Sequence, residues 1–120
     1  MLFIRFSPSD PARWHQLVDA EADQDMAGGA IRIVNSGADG LDRLDIVARK
    51  TGRTNVLAGS VDEGMITYVT RSKWLGFPDY TTATQDGDML RLYGRLRFGR
   101  SDFGVNRQRL ETWVQAIQTR

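Results

Sequence analysis

Between residues 54 and 98 the chain reads as four runs of alternating side chains separated by tight turns. "TNVLAGSV" and "MITYVTRSKW" flank "DEG"; "DYTTATQ" and "MLRLYGRLRF" flank "DGD", which carries the Asp-Gly pair favoured in hairpin turns. Alternation places successive side chains on opposite faces of a sheet. The pattern predicts a four-stranded antiparallel meander and commits the rest of the chain to covering it.

The flanks supply the cover. "AIRIVN" alternates and predicts a fifth strand. "SGADGLDRLDIVARKTGRT" puts Leu41, Leu44, Val47 and Ala48 on one helical face, with Lys50 in the last turn and Gly52 just beyond it. A closing helix is expected from about Val105 to Ile117, its inner stripe formed by Leu110, Trp113, Val114 and Ile117. Upstream, "DAEADQDMAGG" reads as a loop, and Asp10 with Pro11 suits a helix start or an extended arm. The order β-α-β-β-β-β-α describes an α+β fold: a curved antiparallel sheet with the C-terminal helix across one face, of the helix-grip or TATA-binding-protein-like type. Residues 1–29 are read as an N-terminal arm and 30–120 as a single domain.

Composition narrows the chemistry. The 120 residues include no cysteine, which excludes disulfides and thiolate chemistry. The single histidine, His15, excludes a multi-histidine centre and reads as a surface or junction residue beside Trp14; no acidic spacing around it matches a metal motif. No cofactor is expected, because neither GxGxxG nor a Walker-type loop follows a strand. No run reaches the roughly 18 apolar residues that span a bilayer. The opening "MLFIRF" lacks a signal-peptide cleavage pattern and reads either as an edge strand or as the end of a membrane anchor. Residues 1–65 hold seven Lys/Arg and ten Asp/Glu; residues 66–120 hold nine and five, and eight of those nine bases are arginine. Arginine suits flat, bidentate contacts with anions. Nucleic acid is not an expected partner, since the net charge of +1 gives too weak an electrostatic footprint.

Strand 89–98 separates its side chains sharply. Leu90, Leu92, Gly94, Leu96 and Phe98 are expected to meet the helix; Met89, Arg91, Tyr93, Arg95 and Arg97 form a face that is either solvated or turned to an anion. Arg71 and Lys73 are expected on the face of Val69, where alignment with Arg95 and Arg97 would demand a counter-charge. The junction "RSDFGVNRQR" offers Ser101 and Asp102 as acceptors for free helix N–H groups, or as partners of Arg71, Arg97 or Arg107. Gly104 permits a left-handed backbone, and Arg107 and Arg109 leave the helix on different sides. An anion at this helix start would be assisted by Arg100 and Arg107. In "TRSKWLGFPDY", Trp74, Leu75, Phe77 and Tyr80 form either a corner mini-core or an exposed patch for a membrane or partner. Pro78 is expected to break pairing there, and Asp79 to tie the bend.

Two of these segments carry a resemblance. "TRSKWLGFPDYTT" contains Arg71, Ser72, Phe77 and Asp79; "LRFGRSDFGVNRQRLE", with the strand before it, contains Arg95, Arg97, Ser101, Asp102, Gly104, Asn106, Arg107 and Arg109. Together they resemble the two signature blocks of the domain-of-unknown-function family 1499, except that Gly94 and Leu96 stand where serines are usual. The opening "SPSDPARWH" resembles the segment that follows a membrane helix in proteobacterial members. The resemblance implies a cell-envelope protein on the periplasmic side of the inner membrane, often anchored or lipidated, and names no catalytic residue.

The expected function is therefore non-enzymatic. It is binding of an anionic or lipid ligand through Arg71, Arg95, Arg97, Arg100, Asp102, Asn106 and Arg107, or service as an accessory subunit to a membrane protein. The alternatives are a hydrolase-type enzyme using Asp102 or Asp79, and a purely structural interaction module built on the Trp74–Tyr80 patch.

Overall fold

The computed structural model describes residues 9–73 and 76–118. Its elements are α1 (Pro11–Trp14), β1 (Gln24–Met26), β2 (Gly29–Asn35), α2 (Gly40–Lys50), β3 (Thr54–Ser60), β4 (Met65–Arg71), β5 (Pro78–Asp86), β6 (Met89–Leu96) and α3 (Val105–Gln118). The strands form one antiparallel sheet in the order β1-β2-β6-β5-β4-β3. The α+β architecture, the meander and both long helices match the sequence reading. Two elements differ. The acidic stretch read as a loop contains β1, which folds back on β2 and extends the sheet by a strand. Pro78 does not interrupt β5 but begins it, opposite Arg71, where its missing N–H costs least.

Both long helices pack on the same face. Ala30, Ile66, Tyr68, Ala83, Leu90 and Leu92 rise from the sheet to meet Leu41, Leu44 and Ala48 of α2 and Leu110, Trp113 and Ile117 of α3. Trp113 meets Tyr68 edge-on at 5.6 Å, and its indole N–H donates to Thr51 Oγ1 at 3.0 Å. Burial raises the Tyr68 hydroxyl pKa, and the bond that this hydroxyl donates to Asp45 raises it further. Tyr68 therefore stays a neutral donor holding α2 to the sheet.

The opposite face is not open. Residues 9–22 run across it, opening with the single turn α1, whose N–H of Ala12 is capped by Asp10 Oδ1 at 3.0 Å. Val18 and Ala20 pack with Ile31, Ile33 and Tyr93 in a second apolar cluster. The sheet is thus covered on both sides, by helices on one and by an irregular strap on the other.

Candidate functional site

The strap takes up the arginine face of β6. Arg95 donates from Nη1 to Thr82 Oγ1 at 2.9 Å and from Nη2 to the Trp14 carbonyl, while its guanidinium lies 4.8 Å from the Tyr93 ring. Burial lowers its pKa to about 10. Arg91 donates from Nε to the Ala20 carbonyl at 3.0 Å and pairs with Asp86 at 3.2 Å. Trp14 stacks on Tyr80 with ring centroids 4.2 Å apart. Ser9 Oγ meets the Tyr80 hydroxyl at 2.7 Å, and that hydroxyl also accepts from Arg97 at 3.3 Å. His15 continues the seal: its Nδ1 lies 2.7 Å from Thr67 Oγ1, itself 2.8 Å from Thr82 Oγ1. The ring lies over Gly59, where an added Cβ would come within 2.7 Å of His15 Cε1. A face read as solvated or anion-binding is an internal polar seam, because residues 9–20 supply carbonyls and an aromatic plate to match it. Tyr80 belongs to this seam and is fully buried, so it is not part of an exposed patch.

Strand register divides the arginines. Arg71 lies across from Pro78, whose carbonyl accepts the Arg97 N–H at 3.4 Å, so Arg71 and Arg97 flank Pro78; Val69 lines up with Tyr80 and Arg95, so Arg71 and Arg95 are two strands apart and offset along them. Arg71 donates to the Gly76 carbonyl at 2.9 Å. The bend after β4 is tied by Ser72, whose Oγ accepts from Phe77 N at 3.1 Å and whose N–H donates to the Phe77 carbonyl at 3.0 Å. The expectation that Asp79 ties this bend is corrected: Asp79 sits in β5 and faces α3. Phe77 is half-buried, 6.5 Å from Phe98. Trp74 and Leu75 lie outside the described residues.

On the helix face the junction motif folds into a second polar assembly. Asp102 Oδ1 accepts from Gly104 N at 2.9 Å; Oδ2 accepts from Asn106 N at 3.1 Å and from Asn106 Nδ2 at 2.8 Å. Asn106 Oδ1 accepts from Arg109 Nη1 at 2.8 Å, and Arg109 Nη2 reaches Asp79 Oδ2 at 3.5 Å. Asn106 is fully buried against β6, and Gly94 makes this approach available: a Cβ there would stand 2.9 Å from Asn106 Oδ1. The chain Asp102–Asn106–Arg109–Asp79 latches the start of α3 to β5 and β6. The N–H groups that an external anion would use at this helix start are held by the protein's own carboxylate. Asp102 pairs with none of Arg71, Arg97 or Arg107.

Burial raises the Asp79 pKa, while the neighbouring Arg109 opposes the rise. The sign follows. A carboxyl with a folded pKa above its unfolded value of 3.8 adds no penalty below that value, and its penalty grows as pH rises through the folded value. Asp79→Asn should therefore flatten the pH dependence of stability just above pH 3.8, with the wild type losing ground to the variant as pH rises. Thermal melts of both proteins from pH 3 to 7 check this.

What the latch leaves outside is small and specific. Phe103 is 93% exposed and has a left-handed backbone (φ 53°), next to Gly104 at φ 79°. Ser101 Oγ accepts the Phe103 N–H at 3.2 Å and Asp102 accepts that of Gly104, which fixes the turn. Arg100 and Arg107 are exposed on either side, with no ion pair or side-chain hydrogen bond among the described residues. A hollow of about 220 Å³ joins Phe103, Gly104, Ser101 and Arg107 to Asp25 and Met26 of the β1–β2 hairpin. Of the predicted ligand residues, Arg95, Arg97 and Arg71 lie on the strap side of the sheet, Asp102 and Asn106 in the latch, and Arg100 and Arg107 at this corner. The sequence reading did not identify the strap contacts of Trp14 and His15, or the outward turn of Phe103. The pair Phe103-Gly104 was the available signal for the latter.

Among the described residues no three His, Asp or Glu side chains group as metal ligands, and no helix is long and apolar enough to cross a membrane. The model of the family described as "Protein of unknown function (DUF1499)" matches residues 4–117. No curated protein matches the chain.

Proposed function

This chain belongs to the DUF1499 family, and from that premise we infer that it is a non-catalytic binding domain whose working surface is the turn between β6 and α3. One observation supports the reading. Within "RSDFGVNRQR" the groups that could do acid–base work are engaged in holding the fold, whereas Arg100, Phe103 and Arg107 face outward on a backbone that the latch keeps fixed. Asp102 accepts three hydrogen bonds and has little capacity left for a substrate proton. Two guanidinium groups unpaired among the described residues, beside an exposed ring, fit an anionic, amphipathic ligand: the cations address its charge and the ring its apolar part. The cellular setting that goes with this reading is a membrane surface in the envelope, where such a domain would act as an accessory to membrane components.

The test uses a soluble amphiphile. Dihexanoylphosphatidylglycerol, added below its micelle concentration to isotopically labelled protein, should shift the amide signals of residues 99–107. Arg100→Gln with Arg107→Gln should abolish those shifts at unchanged melting temperature. Shifts scattered over the molecule, or retained in the double variant, would refute the assignment.

A further inference from the structure

Five large apolar side chains are exposed among the described residues, and two of them line one hollow at a corner: Met26 from the β1–β2 hairpin and Phe103 from the turn into α3. Two independent loops bring apolar tips to the same end of the molecule. The flanking charges are arranged unequally. Asp25 and Glu111 both turn to Arg32, at 2.8 and 3.0 Å. Asp102 is held by helix N–H groups, and Asp79 by Arg109. Among the described residues, Arg100 and Arg107 are the charges at the corner left without a carboxylate partner.

Building on the reading of this corner as a binding surface, we propose that it docks the domain on an anionic phospholipid bilayer. Phe103 and Met26 enter the interfacial layer, and Arg100 and Arg107 sit at the level of the phosphates. The shape selects this occupant. A ring that is 93% exposed protrudes beside a shallow hollow, and a protruding tip suits a fluid that closes around it. A folded protein partner would need roughly 800 Å² of complementary surface on each side, and the hollow beside Phe103 offers little of that. Aromatic rings favour the headgroup boundary, and arginine stems lie along apolar surface while their heads stay with phosphate. At about fivefold per basic residue near an anionic surface, two arginines give roughly 25-fold preference for anionic over neutral lipid. That strength suits orienting a domain already held near a membrane better than recruiting it from solution.

Co-sedimentation with vesicles of phosphatidylglycerol or of phosphatidylcholine decides the matter. Wild type should partition onto phosphatidylglycerol about 25-fold more strongly, and Arg100→Gln with Arg107→Gln should bring the two lipids to parity. Phe103→Asn, which suits the left-handed backbone and should keep the melting temperature, should lower binding to phosphatidylglycerol by about tenfold. Equal binding of wild type to both lipids, or undiminished binding of Phe103→Asn, overturns the proposal. Absence of vesicle binding with the soluble amphiphile still shifting residues 99–107 overturns docking and leaves the ligand reading standing. Absence of both removes both.

Discussion

Replacing Asp102 by alanine is expected to destabilise the domain by about 3 kcal/mol, with the loss read from urea denaturation. The carboxylate accepts from two backbone N–H groups and one side-chain amide, and Asn106 lies fully buried beneath it. Losing a helix-start acceptor costs about 1 kcal/mol, and each donor stranded away from water about 1–3 kcal/mol. Water reaches the half-exposed Gly104, which keeps the total below the simple sum. Asp102→Asn should fall between wild type and Asp102→Ala, because its amide oxygen can serve only one side of the site. Gly94→Ala attacks the same latch from the strand, by pushing a methyl to 2.9 Å from Asn106 Oδ1, and should cost about 1–3 kcal/mol. Combined with Asp102→Ala it should cost less than the two separate losses together, since both act through Asn106. A loss under about 1 kcal/mol for Asp102→Ala would mean that the latch does not hold α3.

Trp14→Ala is expected to have a comparable effect, about 3 kcal/mol. The indole covers Tyr80 at 4.2 Å, and its backbone carbonyl is held by Thr82 and Arg95. Removing the ring opens the seam above a fully buried tyrosine and admits water to the Arg95 guanidinium. The indole N–H itself is buried without an acceptor among the described residues. Trp14→Phe keeps an aromatic plate and removes that unmatched donor, so it should cost about 1 kcal/mol or less. Equal losses for the two variants would show that ring area, and not merely a ring on Tyr80, decides the strap's hold. Hydrogen exchange in β4, β5 and β6 should rise for Trp14→Ala and remain close to wild type for Trp14→Phe.

The sheet was legible because alternation over residues 54–98 is a local signal, and "DGD" fixes a hairpin by its own backbone preference. The inner stripes of α2 and α3 were legible for the same reason. β1 was not: Gln24, Asp25 and Met26 are all exposed and show no apolar alternation, and they are strand only because β2 pairs with them. Asp102 was recognisable as a helix-start acceptor, since its type and position suffice. Its bond to Asn106, and the passage through Arg109 to Asp79, depend on β5 and β6 lying side by side at Gly94 and Leu96. The arginines of β6 were correctly assigned to one face, but alternation cannot tell solvent from a strap drawn from residues 9–20. The strap carries no periodicity of its own; its contacts are backbone carbonyls, one stacked ring, single hydrogen bonds and the small apolar cluster of Val18 and Ala20.

The strap has a consequence for how the chain assembles. Its partners Thr67, Tyr80, Thr84, Ala20–Arg91 and Trp14–Arg95 lie between 52 and 81 positions away along the backbone. During synthesis the earliest of these residues leave the ribosome well before the strands that will receive them. Closing so long a loop must wait until the meander has formed and can reward it. The strap, made before the strands that receive it, is thus the last to find its seat, and the same segment is placed to be the first to lift when the domain opens locally.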